Sequence, residues 1–212
     1  MTTQAAEPAS VTQTLSTGPI EFCGRTFERD VTEIDCANYK GLILAPVKNF
    51  TSLLKLSLLN TNLSDLTALK ELHTLKELHL DGSTVMDLTP LAGLTVLKVL
   101  TLAYTPTTNL TPLAGLTALE LLDLGGTKVT HLAPLEGLTG LNTLILTNTN
   151  VSDLAPLKAL TALTWLDLNS TQVTDLAPLR GMTALKLLGL NDTQVPDAQI
   201  KKLRAALPNL IN

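Results

Sequence analysis

The chain has 212 residues, 45% of them hydrophobic, which suffices for one ordinary domain or one short repeat array with a continuous core. Its formal net charge of -4 provides no basic surface, so the composition argues against binding to nucleic acid or to a membrane surface. No apolar stretch is long enough to cross a bilayer.

Residues 1–19, rich in Thr, Ser, Gln and Ala, are predicted to form a flexible leader. They lack the basic and hydrophobic regions of a secretory signal. We therefore expect a soluble protein that is cytoplasmic, or exported by a route without a cleavable secretory signal. Residues 20–30 are predicted to form an N-terminal cap in which Ile20, Phe22 and Phe27 cover the edge of the next structural unit.

The only two cysteines are Cys23 and Cys36. Two are too few for a small disulfide scaffold or for a four-ligand zinc site. Free, mostly buried thiols are the favoured interpretation. A bridge that staples the N-terminal cap stays open as the alternative, because it depends on the redox compartment.

A 22-residue repeat with the pattern LxxLxLxxTxVxDLxPLxGLTx occupies residues 31–195. We number its positions from the first leucine of each unit. That leucine recurs at Leu53, Leu75, Leu97, Leu119, Leu141, Leu163 and Leu185. One further step back reaches Val31, so the chain is predicted to contain eight repeats.

Each repeat is predicted to begin with a short strand. The alternation around Leu166 and Leu168 turns those leucines to one side and Trp165 and Asp167 to the other. Stacked repeats then form a parallel sheet with strands about 4.8 Å apart and one continuous leucine core. The third and fifth positions of every repeat are expected to face solvent.

The remaining positions predict tight turns on the return path. The threonine at position nine, as in Thr149, is expected to form a ladder of side-chain hydrogen bonds between successive turns, and Ser83 is expected to substitute for it. The aspartate at position thirteen, as in Asp175, is expected to bond nearby backbone N–H groups. The proline at position sixteen excludes a regular helix, so short 3₁₀ turns are predicted.

Residues 196–212 break the pattern and are predicted to form a C-terminal cap. A helix is expected over residues 197–206, and Pro208 ends it. Leu207 and Leu210 are expected to keep the repeat register in a final partial strand.

The repeat resembles the 22-residue class of leucine-rich repeats found in bacterial internalins and in phosphatase-regulating solenoids. The segment from Asp87 to Thr95, with the sequence DLTPLAGLT, shows the resemblance well. It implies an α/β leucine-rich-repeat solenoid shaped as a shallow horseshoe, with the parallel sheet on the concave face and 3₁₀ turns on the convex face. It also implies binding of a protein partner through the sheet.

The outward positions are charged in the early repeats and more apolar in the later ones. An exposed apolar stripe usually marks an interaction site. The candidate partner-binding residues are therefore Val99, Tyr104, Leu121, Asp123, Ile145, Trp165, Asp167 and Leu187.

Catalysis is not expected on this surface. Asp123 and Asp167 lie two repeats apart, about 9.5 Å by strand spacing, which suits an inverting glycosidase. However, Ile145 lies between them, and an exposed aspartate has no reason for a raised pKa. His79 and Asp81 share a face without further ligands at metal-binding spacing. We predict no catalytic residue, cofactor or metal.

The predicted function is a non-catalytic protein-interaction scaffold, expected to be monomeric, whose protein partner the sequence does not identify. The alternatives are the recognition module of a larger enzyme and a secreted bacterial effector that acts on a host protein.

Overall fold

A computed structural model describes residues 18–211 of the chain, so the predicted leader lies almost entirely outside the described residues. After a short hairpin, β1 (Ile20–Phe22) and β2 (Arg25–Phe27), the structure consists of one eight-stranded parallel sheet, a series of 3₁₀ turns and a final helix. The strands of the sheet are β3 (Glu33–Asp35), β4 (Lys55–Ser57), β5 (Glu77–His79), β6 (Val99–Thr101), β7 (Leu121–Asp123), β8 (Thr143–Ile145), β9 (Trp165–Asp167) and β10 (Leu187–Gly189).

The sheet confirms the eight predicted repeats and their register. Each strand pairs with the next in sequence order, and paired residues are 22 apart, as in Leu144 with Leu166 and Thr143 with Trp165. The middle residue of each strand points inward, and Leu144 and Leu166 are fully buried. The inward leucines thus form one continuous core, while the flanking residues of each strand face outward.

Short 3₁₀ turns return the chain from strand to strand, as predicted. They span Ala45–Asn49, Thr67–Glu71, Thr89–Leu91, Thr111–Leu113, Ala133–Leu135, Ala155–Leu157 and Ala177–Gly181. In repeats such as the one containing Asp175, the Asp Oδ1 accepts a hydrogen bond from the backbone N–H two residues later, here Ala177 at 2.9 Å. His131 occupies the same position in its repeat but does not take the role of the aspartate, because its Nδ1 lies 2.7 Å from the hydroxyl of Thr130.

The predicted threonine ladder between repeats is wrong. The Thr149 hydroxyl donates to the carbonyl of Leu146 in its own repeat at 2.7 Å, and the other threonines at position nine do the same. Ser83 does not substitute, because its buried hydroxyl has no hydrogen-bond partner in the described structure. A side chain this short closes its own turn more readily than it spans two strands.

Backbone hydrogen bonds tie successive turns together instead. The residue at position eight adopts the left-handed conformation in every repeat: Asn38, Asn60, Gly82, Tyr104, Gly126, Asn148, Ser170 and Asp192. This geometry aims its N–H at the carbonyl of position seven in the next repeat, as from Asn148 to Asn169 at 2.9 Å. Asn and Gly suit the position because they tolerate positive φ.

The N-terminal hairpin covers the first repeat, as the apolar residues Ile20, Phe22 and Phe27 indicated. Phe22 and Phe27 both pack against the fully buried Phe50, with ring centroids 5.9 and 6.0 Å apart. The preference for free thiols is wrong, because Cys23 and Cys36 form a disulfide. Their Cα atoms are 5.8 Å apart, since the hairpin turn lies directly beside the end of β3.

The C-terminal helix α1 (Asp197–Ala206) covers the other end with the buried side chain of Leu203. Ile211 then forms a parallel bridge with Leu187, and its N–H donates to the Lys186 carbonyl at 2.7 Å. This spacing is 24 residues, so the prediction that the final partial strand keeps the repeat register is wrong by two residues. The helix needs more chain than a 3₁₀ turn to return to the sheet edge.

Candidate functional site

The eight strands present their first and last residues on the concave face. The register brings Trp165 directly beside Leu187, and it brings Ile145 between Asp123 and Asp167. The later repeats therefore gather the predicted apolar residues into one area. Thr143 lies between Leu121 and Trp165, so the apolar row is interrupted by one small polar residue. We call this area, which comprises Val99, Leu121, Ile145, Trp165 and Leu187, the apolar patch.

Trp165 and Leu187 are the most exposed members of the apolar patch, with 40% and 44% of their surface accessible. Val99, Leu121 and Ile145 are partly buried between their neighbours in the sheet. The inward leucines already fill the core, so these five side chains are not needed to form it. Their exposure leaves apolar surface available for contact with another molecule.

The carboxylate of Asp123 differs from the sequence-based expectation. It is partly buried between β6 and β8, and its Oδ1 accepts the N–H of Gly125 at 2.8 Å. Burial raises the pKa of Asp123, the hydrogen bond from Gly125 lowers it, and the neighbouring negative charges of Asp81 and Asp167 raise it further. The prediction that nothing raises this pKa is therefore wrong, because the sheet itself removes water from the side chain.

The raised pKa of Asp123 does not by itself make an acid–base site. Its neighbours Asp81 and Asp167 carry the same charge, and the large cavities of the early repeats are lined by other residues. Asp167 accepts the N–H of Asn169 at 3.0 Å, which is a turn-forming bond of the same kind as that of Asp123. The structure thus brings Asp123 and Asp167 to one area, where both carboxylates accept backbone N–H groups of the turns that follow their strands.

Tyr104 lies at position eight, beyond the end of β6. Its φ is 57°, a left-handed conformation that a bulky residue rarely adopts, and the side chain is 73% exposed. The ring lies over Gly126, where an added Cβ would approach its Cδ1 to 2.6 Å. The glycine at position eight of the next repeat therefore makes room for this aromatic ring.

The earlier repeats carry charge instead of apolar surface. Lys55 forms an ion pair with Glu77 at 3.1 Å, and the hydrogen bond from Lys55 to Glu77 raises the pKa of Lys55. His79 Nδ1 lies 3.2 Å from the Thr101 hydroxyl, which donates to Asp81. His79 and Asp81 therefore share a face, as expected, and are joined through Thr101.

Sequence reasoning did not include Asp81, Gly125 or Gly126 among the candidate partner-binding residues. Asp81 and Gly125 occupy position seven and Gly126 occupies position eight, where the repeat pattern specifies no residue. A comparison of positions seven and eight across the repeats would have singled out Asp81, Gly125 and Gly126, because these two positions lie at the edge where the strands end.

Two larger cavities lie away from the candidate residues. A groove of about 950 Å³ runs between the first two turns, where Gly41 replaces the valine of position eleven and Ile43 is 74% exposed. A cleft of about 540 Å³ lies between the hairpin and the sheet and includes Arg25 and His79. Neither cavity is lined by any of the eight predicted partner-binding residues.

Within residues 18–211, no cluster of three or more His, Cys, Asp or Glu side chains is placed to hold a metal ion. The described part of the chain also has no helix with the length and apolar character needed to cross a membrane.

The parallel sheet with 22-residue register and 3₁₀ returns defines a leucine-rich-repeat solenoid. No protein-family model and no curated protein sequence matches the chain. Among solved structures, the internalin C2 (InlC2) of Listeria monocytogenes strain 4b F2365 is 32% identical, with a TM-score of 0.82 over 87% of this chain and 82% of that chain. The chain belongs to the internalin-like family of bacterial leucine-rich-repeat proteins.

Two further structures are similar. An internalin (InlF) of the same Listeria strain is 31% identical with a TM-score of 0.81 over 85% of this chain, which spans only 53% of that internalin chain. A leucine-rich-repeat protein of Leptospira interrogans shares the fold at 23% identity, with a TM-score of 0.79 over 86% of this chain and 48% of that one. Membership in the internalin-like family supports a protein-interaction scaffold as the general role.

Proposed function

We propose that this protein is a non-catalytic scaffold whose concave sheet face binds a protein partner. The binding residues in this proposal are Val99, Tyr104, Leu121, Asp123, Ile145, Trp165, Asp167 and Leu187. The observation that carries it is the pair Trp165 and Leu187, which stand side by side in register and expose apolar surface that the core does not need. A large aromatic ringed by aliphatic side chains suits an interface hot spot.

The proposal can be tested with two single variants that are matched in exposure. Leu187 is 44% exposed on the concave face, and Val96 is 42% exposed outside the strands. We expect Leu187→Ser to reduce capture of the partner from an extract by the immobilised protein, and Val96→Ser to leave the capture unchanged. Circular dichroism and denaturation midpoints would establish that both variants are folded. Equal capture by the two variants would show that the partner does not bind through the sheet.

The non-catalytic part of the proposal is supported by the surroundings of Asp123, whose charged neighbours are two further aspartates and which lies outside the two larger cavities. We expect no turnover by the purified chain when it is screened with hydrolase and transferase substrates. A turnover that Asp123→Asn abolishes would contradict it. We also expect a monomer, which light scattering would report as a mass near 22.6 kDa.

We further propose that the chain is exported to an oxidising compartment, as a secreted recognition protein would be. The disulfide between Cys23 and Cys36 supports this location, because such bonds persist outside the reducing cytosol. Cells of the source bacterium can be fractionated after free thiols have been alkylated. Export predicts an unalkylated protein outside the cytoplasm, whereas an alkylated cytoplasmic protein would contradict it.

A further inference from the structure

We propose that the concave face recognises an arginine of its partner, held by the carboxylate of Asp123 and the ring of Tyr104 at the edge of the apolar patch. The partner is then a protein segment in which arginine lies beside apolar residues. This inference rests on the proposed function of the concave face and adds the chemistry that the face selects.

The first observation is that Asp123 forms no ion pair within the described part of the chain. Within residues 18–211, no Lys, Arg or His nitrogen lies within 4.0 Å of its carboxylate. Its Oδ1 accepts the N–H of Gly125, and the neighbouring charges of Asp81 and Asp167 are negative like its own. A partly buried carboxylate with acidic neighbours is poorly stabilised as an anion in the free protein. A cation from a partner would stabilise its negative charge.

The second observation is the strained and exposed ring of Tyr104. Position eight carries Asn, Gly, Ser or Asp in the other repeats, and tyrosine stands there only once. A left-handed tyrosine costs conformational energy, and strain of this kind persists where the surroundings enforce it, often at functional sites. Because 73% of the side chain is accessible, the ring gains little burial in return. Contact with a partner would supply that burial.

The third observation joins the two groups. The Tyr104 N–H donates to the Gly125 carbonyl at 2.7 Å, and the Gly125 N–H donates to Asp123. The ring and the carboxylate lie over consecutive glycines, since a Cβ on Gly126 would meet the ring and a Cβ on Gly125 would lie 3.2 Å from Asp123 Oδ1. Glycine at both positions lets the ring and the carboxylate pack closely against this turn, so that the two groups lie on the same short segment.

Arginine matches this arrangement better than lysine does. Its planar guanidinium stacks on an aromatic face and donates two parallel N–H groups to a carboxylate at the same time. Ile145 pairs with Asp123 on the neighbouring strand, and Leu121 lies two residues before it on β7, so apolar residues next to the arginine would meet the apolar patch. The formal net charge of -4 favours the approach of a basic segment.

Two synthetic peptides test the inference directly. One is the blocked hexapeptide Gly-Leu-Phe-Arg-Leu-Gly, and the other has citrulline, an uncharged isostere, in place of arginine. Each is titrated into ¹⁵N-labelled protein while the amide signals of Gly125, Gly126 and Ile145 are followed. We expect the arginine peptide to shift these signals and to bind at least about ten-fold more tightly than the citrulline peptide.

Three variants decide which groups are responsible. Asp123→Asn keeps an oxygen for the Gly125 N–H, and Tyr104→Asn introduces a residue that the left-handed position accepts, so both should fold. We expect each to reduce the arginine preference, and Asp123→Asn to abolish it. Glu136→Gln removes the same charge from an exposed position outside the strands and should leave the preference intact.

The inference fails if the two peptides bind equally, if neither shifts the three signals, or if Asp123→Asn retains the preference. Equal binding that Leu187→Ser abolishes would overturn the arginine site while it supports the concave binding face. The proposed function has its own readout in the capture experiment with Leu187→Ser and Val96→Ser, so the two ideas can fail separately.

Discussion

The hydroxyl of Thr149 offers a sharp test of how each turn is held together. It donates to the Leu146 carbonyl at 2.7 Å, and within the described structure no backbone N–H shares that carbonyl. In the equivalent turn, Thr127 donates to Leu124 at the same distance, but the Thr127 backbone N–H also reaches the Leu124 carbonyl at 3.2 Å. The two threonines are 3% and 4% exposed, so they are matched in burial.

Valine keeps the shape of threonine and removes the hydroxyl. Thr149→Val leaves the buried Leu146 carbonyl without a partner, so we expect a loss of about 1 to 3 kcal/mol in the free energy of unfolding. Thr127→Val leaves the Leu124 carbonyl one partner, so the expected loss is about 0.5 to 1.5 kcal/mol. Ser83→Ala should cost less than either, because the Ser83 hydroxyl is already unpaired within the described structure.

Urea denaturation followed by circular dichroism measures these differences, provided that the slopes of the transitions agree among the variants. The order Thr149→Val, Thr127→Val, Ser83→Ala, from the largest loss to the smallest, is the expected result. An unchanged midpoint for Thr149→Val would show that the hydroxyl does not support the turn. A larger loss for Thr127→Val than for Thr149→Val would refute the argument from the unpaired carbonyl.

Three further predictions concern the strand, the cap and the acidic position. Leu166→Ala should lower the free energy of unfolding by about 2 to 5 kcal/mol, because it leaves a cavity between repeats, whereas Trp165→Ala on the open face should lower it by about 1 kcal/mol or less. Equal losses in urea denaturation would contradict the assignment of Leu166 to the core and Trp165 to the surface. Cys23 and Cys36 are 13 residues apart, and reduction of their disulfide should lower the free energy of unfolding by up to about 3 kcal/mol. Denaturation with and without reductant measures this difference, and an unchanged midpoint would contradict it. Asp123→Asn should be at least as stable as the native protein at pH 7. A raised pKa means that the ionised carboxylate costs stability above its usual pKa of 3.8, and the amide removes that charge. This difference should shrink as the pH falls through the raised pKa and below 3.8, and a variant that is clearly less stable at pH 7 would show the opposite sign.

The N-terminal cap shows why some contacts escape sequence reasoning. Cys23 lies in the turn of the hairpin and Cys36 lies directly after β3. Nothing in the spacing of the two residues says that the hairpin folds back onto the first strand. That proximity arises from the packing of Phe22 and Phe27 on Phe50, which is a tertiary contact across more than 20 residues.

The threonines show the same limit at shorter range. Their recurrence at position nine predicted that the hydroxyl supports the turn, but the choice of acceptor depends on where the carbonyl of position six points. The left-handed residue at position eight turns the chain so that this carbonyl faces the hydroxyl of its own repeat. The N–H groups at position eight are left to connect the repeats.

The 22-residue period was enough to predict the solenoid, its eight strands, the inward leucines, the 3₁₀ returns and the side chains on the concave face. It was enough because a strict period repeats every local choice, and stacking identical units leaves one arrangement that buries all the leucines. The properties that arise between neighbouring repeats became visible only in the folded molecule. The pKa of Asp123 is raised because adjacent strands remove water from its carboxylate, and Tyr104 projects as it does because Gly126 leaves room beneath its ring. Such properties depend on desolvation and on atomic contact across 22 residues, and a periodic pattern records neither.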